Sequence, residues 1–217
     1  MTILRKGYPS PAIREKEILR YSGCRVPDES TITVMRSCID EAKNVLTYEV
    51  CYRILPVEVR GAICDFGCFS LTSQGLAKNL SSSTQVVLFA ATVGTGLDRL
   101  IAKYGRISPS RALMMQALGA ERIEALCDEF CRDISTELNT CLAPRFSPGY
   151  GDLPLETQRD IFAVLDPSRQ IGLTLNYSLL MSPSKSVTAF AGMANECNNT
   201  NKCSLCDKTN CNFRRVL

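Results

Sequence analysis

A long helical pattern is the sequence feature that most constrains the fold of this chain. It begins after Ser108, a good N-cap residue, and Pro109, which suits the first position of a helix. It extends to about Cys141, which corresponds to roughly 50 Å at 1.5 Å per residue. One face repeats at steps of three and four residues and predicts a stripe packed on the core, in which Cys127 and Cys131 are core residues. The members of this stripe are Leu113, Ala117, Ala120, Glu124, Cys127, Cys131, Ile134, Leu138 and Cys141.

Glu124 is the one acidic residue of this stripe. Burial of a carboxylate is costly unless a cation pairs with it. Two interpretations follow from the residues: Glu124 forms a salt bridge with a neighbouring arginine, or it binds the ammonium group of a cationic ligand.

The remainder of the chain alternates between helical and strand patterns. Asp28 is predicted to cap a helix, and the apolar segment 85–93 is predicted to be a buried strand. The turn Gly94-Thr95-Gly96 after that strand is either a tight turn or a place where a ligand approaches the backbone closely. Further helices are predicted at 11–21, 70–80, 97–103 and 156–165, and further strands at 48–55, within 61–69 and at 186–192.

Composition excludes several classes of function. The chain contains no histidine, which removes histidine-based acid–base catalysis, histidine-activated nucleophiles and histidine metal ligands. Its net charge of +3 is too small to indicate a nucleic-acid partner. The longest apolar run, 86–91, is too short to cross a bilayer, and we expect no membrane partner. Because no secretory signal accompanies the 12 cysteines, we expect a reducing, cytoplasmic location.

The last residues have a different composition and carry a second motif. They read Cys197-x5-Cys203-x2-Cys206-x4-Cys211, and a C-x2-C pair with two further thiols nearby is typical of a metal site. We therefore expect two parts, 1–193 and a metal-binding tail at 194–217. The tail is predicted to hold zinc or an iron–sulfur cluster, with unliganded thiols or redox disulfides as the alternative.

A third motif is Arg145-Phe146-Ser147-Pro148-Gly149-Tyr150. The guanidinium of Arg145 offers a bidentate fork for a carboxylate, and the prolines and Gly149 restrict the backbone so that its amides or carbonyls can contact a planar base. An ordinary structural turn is the alternative interpretation.

These residues resemble the R-x-x-P-G-Y loop of the activation (reactivation) domain of cobalamin-dependent methionine synthase. The long helix with an internal glutamate precedes the loop, and the segment 173–192 is similar to the segment that follows it in that domain. Segments 91–98 and 18–29 resemble short, stand-alone members of the family, so that the resemblance covers roughly residues 10 to 193.

The resemblance implies an α+β fold built around a twisted antiparallel sheet flanked by helices. It also implies an S-adenosylmethionine site that faces cobalamin held by a partner chain. There, reductive methylation returns inactive cob(II)alamin to methylcobalamin, with one electron from a donor protein. The chain would then be a methyltransferase component, incomplete alone because the zinc and folate sites of the full enzyme are missing.

By the same resemblance, Arg145 holds the methionyl end of the ligand, and the backbone at Ser147 contacts the adenosyl part. Gly149 belongs to this loop, Tyr150 lies near the cofactor face, and Glu124 is the best match for the acid on the helix. The sequence departs from the family at 151–155 and at Lys185. An N-terminal acidic contact has only Asp28 and Asp65 as candidates.

Two other functions fit the sequence. One is an activation subunit for a different corrinoid methyltransferase. The other is a zinc-binding interaction protein on the same scaffold.

Overall fold

The structure, a computed structural model, describes residues 2–194. The helices within this part of the chain are α1 (Glu15–Tyr21), α2 (Glu29–Ala42), α3 (Gln74–Leu80), α4 (Gly96–Ile107), α5 (Pro109–Glu137), α6 (Thr157–Leu165) and α7 (Pro167–Ile171). The strands are β1 (Leu4–Gly7), β2 (Glu49–Pro56), β3 (Glu58–Arg60), β4 (Ile63–Asp65), β5 (Ser70–Thr72), β6 (Gln85–Thr92), β7 (Cys141–Leu142), β8 (Thr174–Leu175), β9 (Met181–Ser182) and β10 (Ser186–Ala194).

The main sheet has five strands in the order β1-β2-β6-β10-β7, and every neighbouring pair is antiparallel. Strand β6 is buried from Val86 to Thr92, as the apolar run predicts for a strand covered on both faces. Its alternate side chains enter two separate cores. Val87, Phe89 and Ala91 pack with residues of α2, α4 and α5, whereas the intervening residues pack with α3, α6 and the small β3-β4-β5 sheet.

Helix α5 confirms the predicted start but not the predicted end or the predicted buried face. It begins at Pro109 with Ser108 at the N-cap, and it stops at Glu137 because Asn139 takes a left-handed conformation with φ 46°. Cys141 then lies in β7, which pairs with the end of β10.

The predicted stripe is wrong in part, because Leu113 is 54% exposed and Leu138 is 38% exposed. The core-facing side of α5 instead includes Met115, Leu118, Leu126 and Phe130, together with the charged residues Glu121 and Arg122. Cys127 is buried as predicted, and Cys131 is half-buried.

Smaller differences from the sequence predictions concern element ends. The helix predicted at 11–21 begins only at Glu15, and the helix predicted at 70–80 is preceded by β5. Asp28 caps α2 as predicted, since its carboxylate accepts a hydrogen bond from the Thr31 amide. None of the helices described between residues 2 and 194 combines the length and apolar character that a membrane crossing requires.

Candidate functional site

The motif 145–150 begins as an extended segment that continues the edge of the main sheet. The Phe146 amide donates to the Phe190 carbonyl at 2.9 Å, and the Phe190 amide donates back to the Phe146 carbonyl at 2.8 Å. Phe146 is buried in the core on the α3 side. Because successive residues of an extended chain point to opposite faces, Arg145 is directed to the other side of the sheet, where α5 lies.

Arg145 reaches α5 and binds two of its carboxylates. Its Nη2 donates to Glu124 Oε2 and its Nη1 donates to Asp128 Oδ1, both at 2.7 Å. The Arg145 side chain is only 10% exposed, whereas that of Glu124 is 32% exposed. Burial alone would lower the pKa of Arg145, but the nearby Cys127 and Cys131 and the two carboxylates raise it above its ordinary value. Arg145 is therefore a fixed cation at the surface of α5.

Glu124 thus forms the salt bridge that was one of its two sequence interpretations. The expectation that it lies on the buried face of the long helix is wrong. The fully buried acid of the helix is Glu121, one turn earlier.

A second arginine enters this cluster from the N-terminal segment. Arg14 Nη1 donates to Asp128 Oδ2 at 3.0 Å, and its Nε donates to Glu121 Oε1 at 3.1 Å. Asp128 therefore holds Arg14 on one carboxylate oxygen and Arg145 on the other. Sequence reasoning missed both Arg14 and Asp128. The available signal was the spacing of acids at 121, 124 and 128, which places them along one side of a helix.

Arg122 fixes the segment that carries Arg14. It pairs with Glu121 through bonds of 2.6 and 2.7 Å, and it donates to the Pro11 carbonyl at 2.6 Å and the Ala12 carbonyl at 2.8 Å. Both members of this pair are almost completely buried, at 1% and 0% side-chain exposure. The position of the N-terminal segment on α5 therefore depends on a buried ion pair.

The second half of the motif forms a compact turn. The Tyr150 amide donates to the Ser147 carbonyl at 3.1 Å, and the Gly149 amide donates to the Leu153 carbonyl at 2.9 Å. Gly149 has φ 81°, a conformation that glycine adopts without steric cost. Tyr150 is 58% exposed, and its ring packs edge-on against Phe146 at a centroid distance of 5.3 Å. The turn thus presents backbone groups and one aromatic ring to solvent.

Asp152 attaches this turn to α3. Its carboxylate accepts hydrogen bonds from the Ser73 hydroxyl at 2.6 Å, the Gln74 amide at 2.6 Å and the Gly75 amide at 3.0 Å. The hydrogen bond from Ser73, together with those from the two amides, lowers the pKa of Asp152. Asp152 belongs to the segment 151–155, in which the sequence departs from the family pattern. This segment therefore makes a contact with α3.

The turn Gly94-Thr95-Gly96 is packed against the protein itself. A Cβ at Gly94 would lie 2.3 Å from Thr47 Oγ1, and a Cβ at Gly96 would lie 2.2 Å from the Val45 carbonyl oxygen. The glycines are needed for this close approach, which supports the tight-turn interpretation over a cradle for a ligand.

The remaining sequence candidates lie elsewhere. Asp28 caps α2, and Asp65 accepts a hydrogen bond from the Gly67 amide at 2.8 Å. The Lys185 side chain crosses α5 at Gly119, and burial lowers its pKa. A groove of about 480 Å³ beside α3 is lined by other residues, among them Val59 and Gln74.

Cys197, Cys203, Cys206 and Cys211 lie outside the described residues. Within 2–194, no three histidine, cysteine or acidic side chains are grouped so that they could hold a metal ion. The metal site predicted for the tail therefore stays a prediction.

Comparison with known structures finds a similar architecture among solved domains. A structure described as the crystal structure of the MetH reactivation domain bound to AdoHcy matches with a TM-score of 0.67 at 12% sequence identity, covering 92% of this chain and 81% of that chain. Neither family models nor curated protein sequences give a match. At this level of identity the similarity establishes the fold, and it confirms the predicted α+β class with an antiparallel sheet, flanking helices and one long helix.

Proposed function

We propose that this chain is an S-adenosylmethionine-binding reactivation subunit that acts on a cobalamin-dependent methionine synthase. The observation that carries the proposal is the placement of Arg145 and the turn 147–150 on one sheet edge, in a fold shared with a domain crystallised with AdoHcy. Arg145, Ser147, Gly149, Tyr150 and Glu124 are the proposed binding residues.

The ion-pair cluster suits the methionyl end of the ligand, which carries an ammonium and a carboxylate on one carbon. The guanidinium of Arg145 is held in place and retains donors beyond the two used on α5, so it can bind the ligand carboxylate. The Glu124 carboxylate, one-third exposed beside it, can bind the ammonium. A zwitterion is thus matched by opposite charges that are already arranged in the protein.

The turn suits the adenosyl end. The hydrogen bonds of Ser147 and Gly149 hold the turn in place, and the backbone groups at 147–150 that these bonds leave unused can contact a planar base. The exposed ring of Tyr150 supplies an apolar surface beside them. Side-chain identity at Ser147 is then less important than its backbone position.

The chemistry requires little from this chain beyond position. When bound, S-adenosylmethionine would supply a sulfonium methyl group; with one electron from a donor protein, its transfer would convert the partner's cob(II)alamin to methylcobalamin and release S-adenosylhomocysteine. The residues named above hold the ligand against the partner and orient its methyl group. No acid–base group is needed for this role, which agrees with a sequence without histidine.

Titration calorimetry with S-adenosylmethionine tests the proposal. Arg145→Ala is expected to weaken binding by roughly 1.5–3 kcal/mol, the range for hydrogen bonds to a charged group. Arg145→Lys should restore little of the lost affinity, because the lysine ammonium cannot form the two parallel hydrogen bonds that a guanidinium makes with a carboxylate. Glu124→Gln should also weaken binding, with a small effect on the unfolding of the free protein because its side chain is partly exposed.

Arg36→Ala is a matched control, since it removes an exposed arginine whose partner, Glu15, is not one of the proposed binding residues. Absence of binding by the unaltered protein would contradict the proposal and favour the zinc-binding interaction protein. Binding together with capture of a different corrinoid protein would favour the other methyltransferase system.

For the tail we propose one metal centre held by Cys197, Cys203, Cys206 and Cys211, either an iron–sulfur cluster that relays the electron or a structural zinc. Metal analysis and a visible spectrum of anaerobically purified protein distinguish the two. Cys203→Ser with Cys206→Ser should remove the metal and leave S-adenosylmethionine binding intact. Only a relay predicts that reductive methylation with the physiological donor then fails, and equal activity of variant and parent would eliminate it.

A further inference from the structure

The turn 147–153 is held between two attachments. Upstream, Phe146 is bonded in both directions to Phe190 of β10. Downstream, Asp152 accepts three hydrogen bonds from the start of α3. Between these points the backbone includes Gly149 and Gly151, both with positive φ, where glycine has more conformational freedom than any other residue. A turn with this composition needs external contacts to keep one conformation.

Around Asp152, the turn and α3 lie close together at Gly75. A Cβ on Gly75 would lie 2.9 Å from Asp152 Oδ1 and 3.0 Å from the Phe146 ring. A side chain at this position would therefore displace both the carboxylate and the ring on which Tyr150 packs. Glycine at 75 allows the turn, α3 and the aromatic pair to meet at one place.

From these contacts we propose that Asp152 is a positioning residue for ligand binding: it holds the turn 147–150 against α3 in the conformation that contacts the adenosyl group. The inference rests on the proposed function. Asp152 touches α3 and acts on the ligand through the turn.

The test compares two ligands in three variants by titration calorimetry. The ligands are S-adenosylmethionine and methylthioadenosine, which has the adenosyl group and lacks the ammonium and carboxylate. Asp152→Ala removes all three hydrogen bonds and is expected to lower the affinity for both ligands by a similar factor, about five- to twentyfold. Arg145→Ala should lower the affinity for S-adenosylmethionine alone, because methylthioadenosine has no carboxylate that Arg145 could bind.

Asp152→Asn is the milder variant. It keeps Oδ1 for Ser73 and Gly75 and turns an NH2 group toward the Gln74 amide, so its effect should fall between those of parent and Asp152→Ala. Asp98→Ala is the matched control, because the Asp98 carboxylate likewise holds another segment of the chain, by accepting hydrogen bonds from the amide and the hydroxyl of Ser184. It should lower stability without any change in either affinity.

Amide hydrogen exchange gives a readout that does not depend on the ligand. In Asp152→Ala the Gly149 and Leu153 amides should exchange at least about tenfold faster, while the Phe190 amide keeps its rate. If the parent protein binds neither ligand, the proposed function fails, and faster exchange in the turn still supports the anchoring role of Asp152. Unchanged exchange, or unchanged affinity for methylthioadenosine in a parent that binds it, would overturn the inference.

Discussion

Replacement of Arg122 by methionine should cost about 3–5 kcal/mol of the free energy of unfolding, the range for removing one partner of a buried ion pair. The structure gives the reasons. Arg122→Met leaves the Glu121 carboxylate buried with only Arg14 at 3.1 Å, and it removes the donor from the Pro11 and Ala12 carbonyls. The remaining contact with Arg14 places the expected value at the lower end of the range.

Urea denaturation followed by circular dichroism measures this loss, provided that the slope against urea is unchanged. Arg60→Met is the control, because its pair with Glu58 is 73% and 62% exposed and should contribute little to stability. Adding Glu121→Leu to Arg122→Met should recover most of the loss, since an apolar pair removes the buried charge. A loss below about 1 kcal/mol for Arg122→Met would refute the reasoning.

Two further predictions concern stability. The hydrogen bond from Tyr104 and the nearby cations lower the pKa of Glu41 in the folded protein. The ionised Glu41 side chain therefore contributes fully to the free energy of unfolding above the unfolded-state pKa of about 4.3, and this contribution is lost as pH falls through the lower folded-state pKa. Unfolding measured between about pH 6 and 3 should show a weaker acid dependence for Glu41→Gln than for the parent; parallel curves would contradict this. Gly96→Ala should cost about 1–3 kcal/mol because its Cβ would meet the Val45 carbonyl, whereas Gly105→Ala on the same helix has open space and should stabilise by about 0.5–1 kcal/mol. Equal melting temperatures for these two variants would show that the close approach at Gly96 relaxes freely.

The features that sequence predicts well here are those with a short-range physical signal. The apolar run of β6, the Asp28 cap and the start of α5 at Pro109 each depend on neighbouring residues, and each is confirmed. The buried face of α5 was predicted less well, since a count of apolar residues cannot show that Glu121 and Arg122 neutralise one another in the core.

In the candidate site, too, the local features could be predicted from the sequence and the long-range contacts could not. The motif 145–150 identified the turn, but the contacts that fix it join residues far apart in the chain. Arg14 meets Asp128 and Asp152 meets Ser73, and neither pair has a spacing that a sequence pattern reveals. A polar residue in a loop gives no local indication of which distant helix it will contact.

The position of β10 in the sheet has a consequence for how the chain is made. Its partner β6 is complete roughly a hundred residues earlier, and Ser186 pairs with Thr92 at one end of the register. During synthesis the edge of β6 that later pairs with β10 is therefore unpaired. A nascent chain that pauses before β10 is made exposes this unpaired strand to other chains. Phe146 also lacks its partner Phe190 until β10 emerges, so the sheet edge that carries Arg145 cannot form before then. Substitutions that slow synthesis or weaken β10 should therefore increase aggregation of newly made protein more than they lower the stability of the folded molecule.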